Sequence, residues 1–138
     1  MTEQGYELWP IGRVHSSLVD PADAPKQGDE GAPEALLEFD AGVADGLCDL
    51  RVGDEVLVLT WLHRADRGVL AVHPRDDQRA PLRGVFSTRS ADRPNPIGVH
   101  RVRIRAVDGT SLRVADLEAI DGTPILDVKP ILGPIGER

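Results

Sequence analysis

Along this chain apolar residues recur mostly at every second position, in short runs broken by clusters of Gly, Pro and Asp. That is the period of half-buried strands and not of helices. A strand starts in Glu7 to Val14, where Pro10, lacking an amide hydrogen, points to a sheet edge or a bulge. Asp20 to Pro33 reads as a long loop, of a length that in compact domains is usually functional or mobile. Glu34 to Phe39 is a second strand. Asp40 then stands where it can cap a short helix in which Val43, Leu47 and Leu50 fall at i, i+4 and i+7, although Gly42 and Gly46 weaken it.

Glu55 to Leu62 is nearly continuous in apolar character, which predicts a strand buried on both faces at the centre of the sheet. Gly68 to His73 reads as another, followed by a polar loop from Pro74 to Arg83. Val99 to Val107 and Ser111 to Glu118 flank Asp108-Gly109, a turn pair suited to positive φ, and so predict a hairpin. In its first arm Val102, Ile104 and Ala106 alternate with Arg101, Arg103 and Arg105: one face is core and the other carries guanidiniums. Many short strands, one short helix and frequent turns describe a mainly β domain, an all-β barrel or a strand-dominated α+β fold, spanning residues 1–138 as one unit. A Rossmann sheet is excluded, since no Gly-x-Gly-x-x-Gly joins a strand to a helix and βαβ alternation is missing.

A hydrophobic share of 41% beside 28% charged residues is that of a globular domain, and no apolar run approaches the roughly 20 residues of a membrane span. No export signal is evident. Cys48 is the single cysteine, so an internal disulfide, a Cys-based zinc site and a redox pair are all excluded, and the expected setting is reducing and cytoplasmic. Charge divides unevenly: seven arginines stand against Asp92 and Asp108 between Arg83 and Arg113, a local +5 inside a chain of net −7. Such a strip either faces a phosphate- or carboxylate-bearing ligand or is a solvated strand face. The overall acidity weighs against extensive nucleic-acid contact.

Two segments carry more constraint than folding needs. In Gly84 to Gly98 the prolines of Arg93-Pro94-Asn95-Pro96 fix φ on both sides of Asn95 and push the preceding residues away from helix. The result is a stiff corner bearing Arg89, Arg93 and Asn95, either a polar pocket wall or a well-made barrel corner. In Asp121 to Pro130, Asp121-Gly122 makes a turn, and Asp127 and Lys129 fall on one side of an extended run. They pair as a surface salt bridge or orient a substrate.

Together, GVFSTRSADRPNPIG and DGTPILDVKP resemble the paired signatures of the TrmO (TsaA-like) family, in matching order and spacing. Ile11 to Ser16 resembles the family's opening strand, Pro25-Lys26-Gln27 its Pro-Arg-Gln element, and Val58 to His63 its strand ending in His. The resemblance implies a single-sheeted β-barrel that dimerises and binds S-adenosylmethionine near the subunit interface. Carried over by motif, the cofactor contacts are Gln27, Gly28, Asp29, Glu30, His63, Arg64, Arg89, Val99, Ala115, Asp116, Leu117 and Glu118. Arg89 is the bidentate partner for the cofactor's carboxylate, whereas His63 either hydrogen-bonds the cofactor or packs at a strand end. Family activity implies methyl transfer to the exocyclic nitrogen of threonylcarbamoyl-adenosine beside the tRNA anticodon, with no metal. Arg93, Asn95, Arg101, Arg103 and Lys129 are then the substrate-side residues, and Asp121 or Asp127 the proton acceptor. Ile131 replaces the Tyr that usually continues the family's Lys-Pro motif, and Asp29 and Glu30 add acidity to the cofactor loop. A small-metabolite acceptor, or a non-catalytic cofactor-binding protein of the same fold, are the alternatives.

Overall fold

Strands with one apolar face must cover it, and here the sheet does so by closing on itself. In the computed structural model, which describes residues 5–19, 33–74 and 77–133, the strands β1 (Gly12–His15), β2 (Ala35–Phe39), β3 (Glu55–Trp61), β6 (Ile97–Asp108), β7 (Ser111–Ala115) and β8 (Pro124–Pro130) form a closed antiparallel barrel. Their order around the barrel is β1-β2-β7-β6-β3-β8. A small ribbon of β4 (Ala71–Val72) and β5 (Arg83–Gly84) stands apart. Closure gives each barrel strand a neighbour on both sides over at least part of its length. Its interior is filled by Val14, Leu37, Val58, Ile104, Leu112 and Ile125, all fully buried, with Leu117 packed among them from beyond the end of β7. Among the described residues no helix is long and apolar enough to cross a membrane.

The expected elements appear with local differences, each with a physical cause. β1 starts only at Gly12 because Pro10 has no amide to give a ladder. The segment after Phe39 winds as a 3-10 helix, Ala41–Leu47, and Asp40 precedes it without a side-chain cap bond. Two glycines weaken a helix, and the tighter winding is typical of such short pieces. β3 buries Val56, Val58 and Thr60 inside, whereas Leu57 and Leu59 on the outer wall are only half-buried, since a barrel wall has a single interior. The Gly68 to His73 run pairs only at Ala71–Val72. The hairpin turn proper is Gly109-Thr110, because Asp108 pairs with Ser111; Gly109 alone takes positive φ, 59°, as the first central residue of a type II′ turn does. A register shift between Ile104 and Ala106 makes Arg105 a bulge and turns Ala106 outward, away from the core it was expected to join.

Candidate active site

Strand lengths create the site. β6 pairs with β3 from Ile97 to Arg103, but with β7 only from Arg103 onward, where Arg103 faces Ala115. From Ile97 to Val102, therefore, no strand of the described residues pairs the other edge of β6. β7 ends where it does because Asp116 adopts a left-handed backbone, φ 71°, a region that Asp tolerates better than most residues. The chain then turns inward, burying Leu117 and Ala119 and bringing Glu118 to the unpaired stretch of β6.

Two predicted cofactor residues, Arg89 and Glu118, bond there to adjacent positions, the first of which, Val99, is a third. Arg89 Nη2 donates to the Val99 carbonyl at 3.3 Å. Glu118 Oε1 lies 2.6 Å from His100 Nδ1, and His100 Nε2 lies 2.7 Å from Thr60 Oγ1. His100 is 4% exposed and Thr60 fully buried, while the Glu118 side chain keeps 19% of its surface. Gly98 fits against this chain of polar groups: a Cβ there would stand 2.6 Å from Thr60 Oγ1 and 2.7 Å from His100 Nε2.

The proline corner is braced from within. Arg93 donates to the carbonyls of Val85 (2.6 Å), Ser90 (3.0 Å) and Thr88 (3.2 Å), so this guanidinium shapes the loop. Arg67 donates to the Pro94 carbonyl at 2.6 Å and to Asn95 Oδ1 at 3.0 Å, with its guanidinium 5.2 Å from the Trp61 ring centroid. Arg67, Thr60 and His100 escape the motif reading. The two inward-facing polar residues were readable only as breaks in the alternation of β3 and β6, and nothing in the sequence marks Arg67. His63 is exposed just past the end of β3. Arg64 donates to the Val19 carbonyl at 3.0 Å, tying that strand end to the segment leading towards residues 20–32. Gln27, Gly28, Asp29 and Glu30 lie outside the described residues.

Asp121 caps the turn of the second motif: its Oδ1 accepts the Ser16 amide at 3.0 Å, and Gly122 takes positive φ, 82°. It borders an open depression of about 460 Å3 lined also by His15, Ser16, Glu34, Leu36 and Arg113. His15 Nε2 lies 2.7 Å from Glu38 Oε2 and its Nδ1 3.9 Å from Asp121. Asp127 and Lys129 form an ion pair at 3.0 Å on the outer wall of β8, with β3 between them and β6. They are not brought to the Arg89 and Glu118 corner.

The arginine face of β6 is matched by carboxylates. Glu55 accepts from Arg101 Nε and Nη2, both at 3.3 Å, and lies 3.8 Å from Arg103; Arg105 reaches Glu34 at 3.9 Å. The hydrogen bond from Arg101, its positive charge and that of Arg103 together hold the Glu55 carboxyl below its ordinary range. A depressed carboxylate pKa contributes stability above the unfolded-state value, and that contribution fades as pH falls through the folded value. The site is open to solvent, so the contribution is screened and small. Following Glu55 by NMR, the titration midpoint is expected below that of a free glutamate and should rise in Arg101→Ala. An unchanged midpoint would show the pair to be a static picture only. Among the described residues no three His, Cys, Asp or Glu side chains are gathered as if around a metal.

Comparison with known proteins agrees with the barrel fold. Residues 13–135 match the model of the tRNA-methyltransferase O N-terminal domain. A Methanothermobacter thermautotrophicus protein described as "Probable S-adenosyl-L-methionine-binding protein" is 38% identical over 130 residues, 94% of this chain and 93% of that one. An Archaeoglobus fulgidus "S-adenosyl-L-methionine-binding protein" is 42% identical over 123 residues, covering 88% of this chain and 86% of its own. Crystal structures of TrmO from Pseudomonas aeruginosa superpose with TM-scores of 0.75 and 0.73 at 28% identity, over 95% and 94% of this chain. The chain spans 56% and 57% of the length of those two structures.

Proposed function

This chain belongs to the tRNA-methyltransferase O N-terminal domain family, and from that premise we propose that it is an S-adenosylmethionine-dependent methyltransferase whose acceptor is the threonylcarbamoyl-modified adenosine beside the anticodon of tRNA. The observation that carries the reading is that Arg89 bonds to Val99 and Glu118 to His100, adjacent residues of β6 along the stretch that no other strand of the described residues pairs.

The residues present fit the cofactor. Arg89 offers a two-pronged donor for a carboxylate. Glu118 and Asp116 are acceptors for an ammonium or hydroxyl groups, and the unpaired edge of β6 with the Ala115 to Glu118 backbone provides main-chain donors and acceptors for a flat base. When bound, S-adenosylmethionine supplies a methyl group on a positively charged sulfur, open to displacement by a nitrogen in line with the carbon–sulfur bond. The chain's own work is then alignment and proton removal. The corner braced by Arg67 and Arg93 keeps Arg89 and Asn95 in place. Asp121, anchored through Oδ1 by the Ser16 amide, accepts at Oδ2 the proton that leaves the acceptor nitrogen.

Radiolabelled cofactor separates the readings. Label is expected in threonylcarbamoylated tRNA and not in unmodified tRNA. A second reading, a small-metabolite acceptor, draws on the pairing of Arg101, Arg103 and Arg105 with Glu55 and Glu34, which leaves that face less charge for phosphates. In that case label from a cell extract enters small molecules. Binding without transfer to any acceptor would reduce the function to cofactor binding. We further propose a homodimer, for which Phe86, 80% exposed in the loop that carries Arg89, offers an apolar contact. A monomer in sedimentation equilibrium at micromolar concentration would remove that part.

A further inference from the structure

We infer that Thr60 and His100 are positioning residues, a buried support that holds the Glu118 carboxylate in place to receive the ribose hydroxyls of bound S-adenosylmethionine. The inference rests on the cofactor reading above and adds to it the residues behind the contact. Three elements converge on the support: Thr60 near the end of β3, His100 near the start of β6, and Glu118 beyond the left-handed turn at Asp116. An ionised carboxylate only accepts hydrogen bonds, so Nδ1 of His100 carries the proton it gives to Glu118. In the neutral ring Nε2 then accepts from the Thr60 hydroxyl, and both ring nitrogens are satisfied.

Such a chain of groups is not what a barrel core requires. The neighbouring inward positions of these strands are Val56, Val58, Val102 and Ile104, and an apolar trio would fill the same space without desolvating a ring and a hydroxyl. A fully satisfied polar network instead fixes one geometry. The absence of a side chain at residue 98 leaves room for it, since a Cβ there would press on both Thr60 Oγ1 and His100 Nε2. What the network fixes is Glu118. One carboxylate oxygen is held on His100, and the other has no hydrogen-bond partner among the described residues. The side chain is still part-exposed at the mouth where β6 runs past β7. An acidic side chain with one oxygen fixed and one free suits vicinal hydroxyls, the same chemistry by which other nucleotide sites take a ribose.

The test uses the whole protein and needs no turnover. Calorimetry with S-adenosylmethionine is expected to show Glu118→Ala and His100→Ala each about tenfold weaker than the parent, with the double variant no weaker than either single one. His100→Asn, whose amide can present an N–H where Nδ1–H stood, should recover to within about threefold, whereas His100→Gln should resemble His100→Ala. The 2′-deoxy form of the cofactor should bind the parent about tenfold less tightly than the normal one, and Glu118→Ala should bind both alike. Without ligand, 15N spectra should show the His100 ring protonated at Nδ1 and hydrogen-bonded, a signature lost in Glu118→Ala. If folded His100→Ala binds with parental affinity, the support idea falls and the cofactor reading stands. A parent that does not discriminate the deoxy form overturns the ribose assignment. If the parent binds no S-adenosylmethionine at all, the proposed function falls with it, even where the ring signature is present.

Discussion

Replacing Arg89 with alanine is expected to weaken S-adenosylmethionine binding about a hundredfold while leaving the fold intact. Two arginines of the same loop differ in what their guanidiniums hold. Arg93 lies inward and gives its protons to three carbonyls that shape the corner. Arg89 is exposed and has one long bond, 3.3 Å, to Val99. Losing that bond costs little, because the Val99 carbonyl is at a mouth that water reaches. Losing the guanidinium removes the cation that matches the cofactor's carboxylate, and a two-pronged charged contact is worth about 2 to 3 kcal/mol, or roughly two powers of ten. Arg89→Lys should recover only part of this, since an ammonium cannot bind in a planar fork. Arg93→Ala should show the reverse pattern, with a lower melting temperature first and weaker binding only as its consequence. Calorimetry beside thermal unfolding distinguishes the two. Undiminished affinity in a folded Arg89→Ala protein would move the cofactor site elsewhere.

The same contrast shows how far residues can be read without coordinates. Alternation identifies β6, whose apolar face turns inward, and the turn pair before β7 marks that strand, whereas β3 is found through its apolar run and only one of its two faces proves to be interior. Alternation fails at Ala106, since a one-residue bulge inverts every later position, and Arg103 to Ala106 contains no Gly or Pro to announce one. It fails again at Gly68 to His73, where a strand-like composition has little sheet to pair with. The site divides in the same way. Arg89, Val99 and Ala115 to Glu118 are reached through motifs, and the barrel joins them because β6 is longer than β7. The arginines themselves are indistinguishable in sequence: whether one points at a loop carbonyl, at Glu55 or at solvent depends on the fold around it. The Thr60 and His100 pair, 40 residues apart, depends on the register of β3 against β6, which no local pattern states. Asp127 and Lys129 were readable as a same-side pair, and 3.0 Å bears that out, but their distance from the Arg89 corner was not.

Register also sets the largest effect expected on stability, at Gly12. This residue pairs with Phe39 of β2 on one side and Ile125 of β8 on the other, so it sits where the first strand closes the barrel. A Cβ added there would overlap the carbonyl oxygen of Glu38, with the Phe39 Cα only 3.0 Å away. Both obstacles are backbone, so no rotamer change relieves the clash, unlike the open surroundings of Gly42 or Gly46. β1 must move away from β2, and that stretches the ladder that covers Val14 and Leu37, both fully buried. Gly12→Ala is therefore expected to lose about 3 kcal/mol, the upper end for overpacked sites, and about 10 °C in melting temperature for a domain of this size. Gly12→Val should lose more, although valine favours strands, because steric conflict outweighs the propensity gain of at most about 1 kcal/mol. Gly46→Ala is the control, since open space surrounds that position and its stability should match the parent or slightly exceed it. If Gly12→Ala melts within about 2 °C of the parent, measured by calorimetry, then β1 does not lie against β2 in this register and the barrel is not closed at that seam.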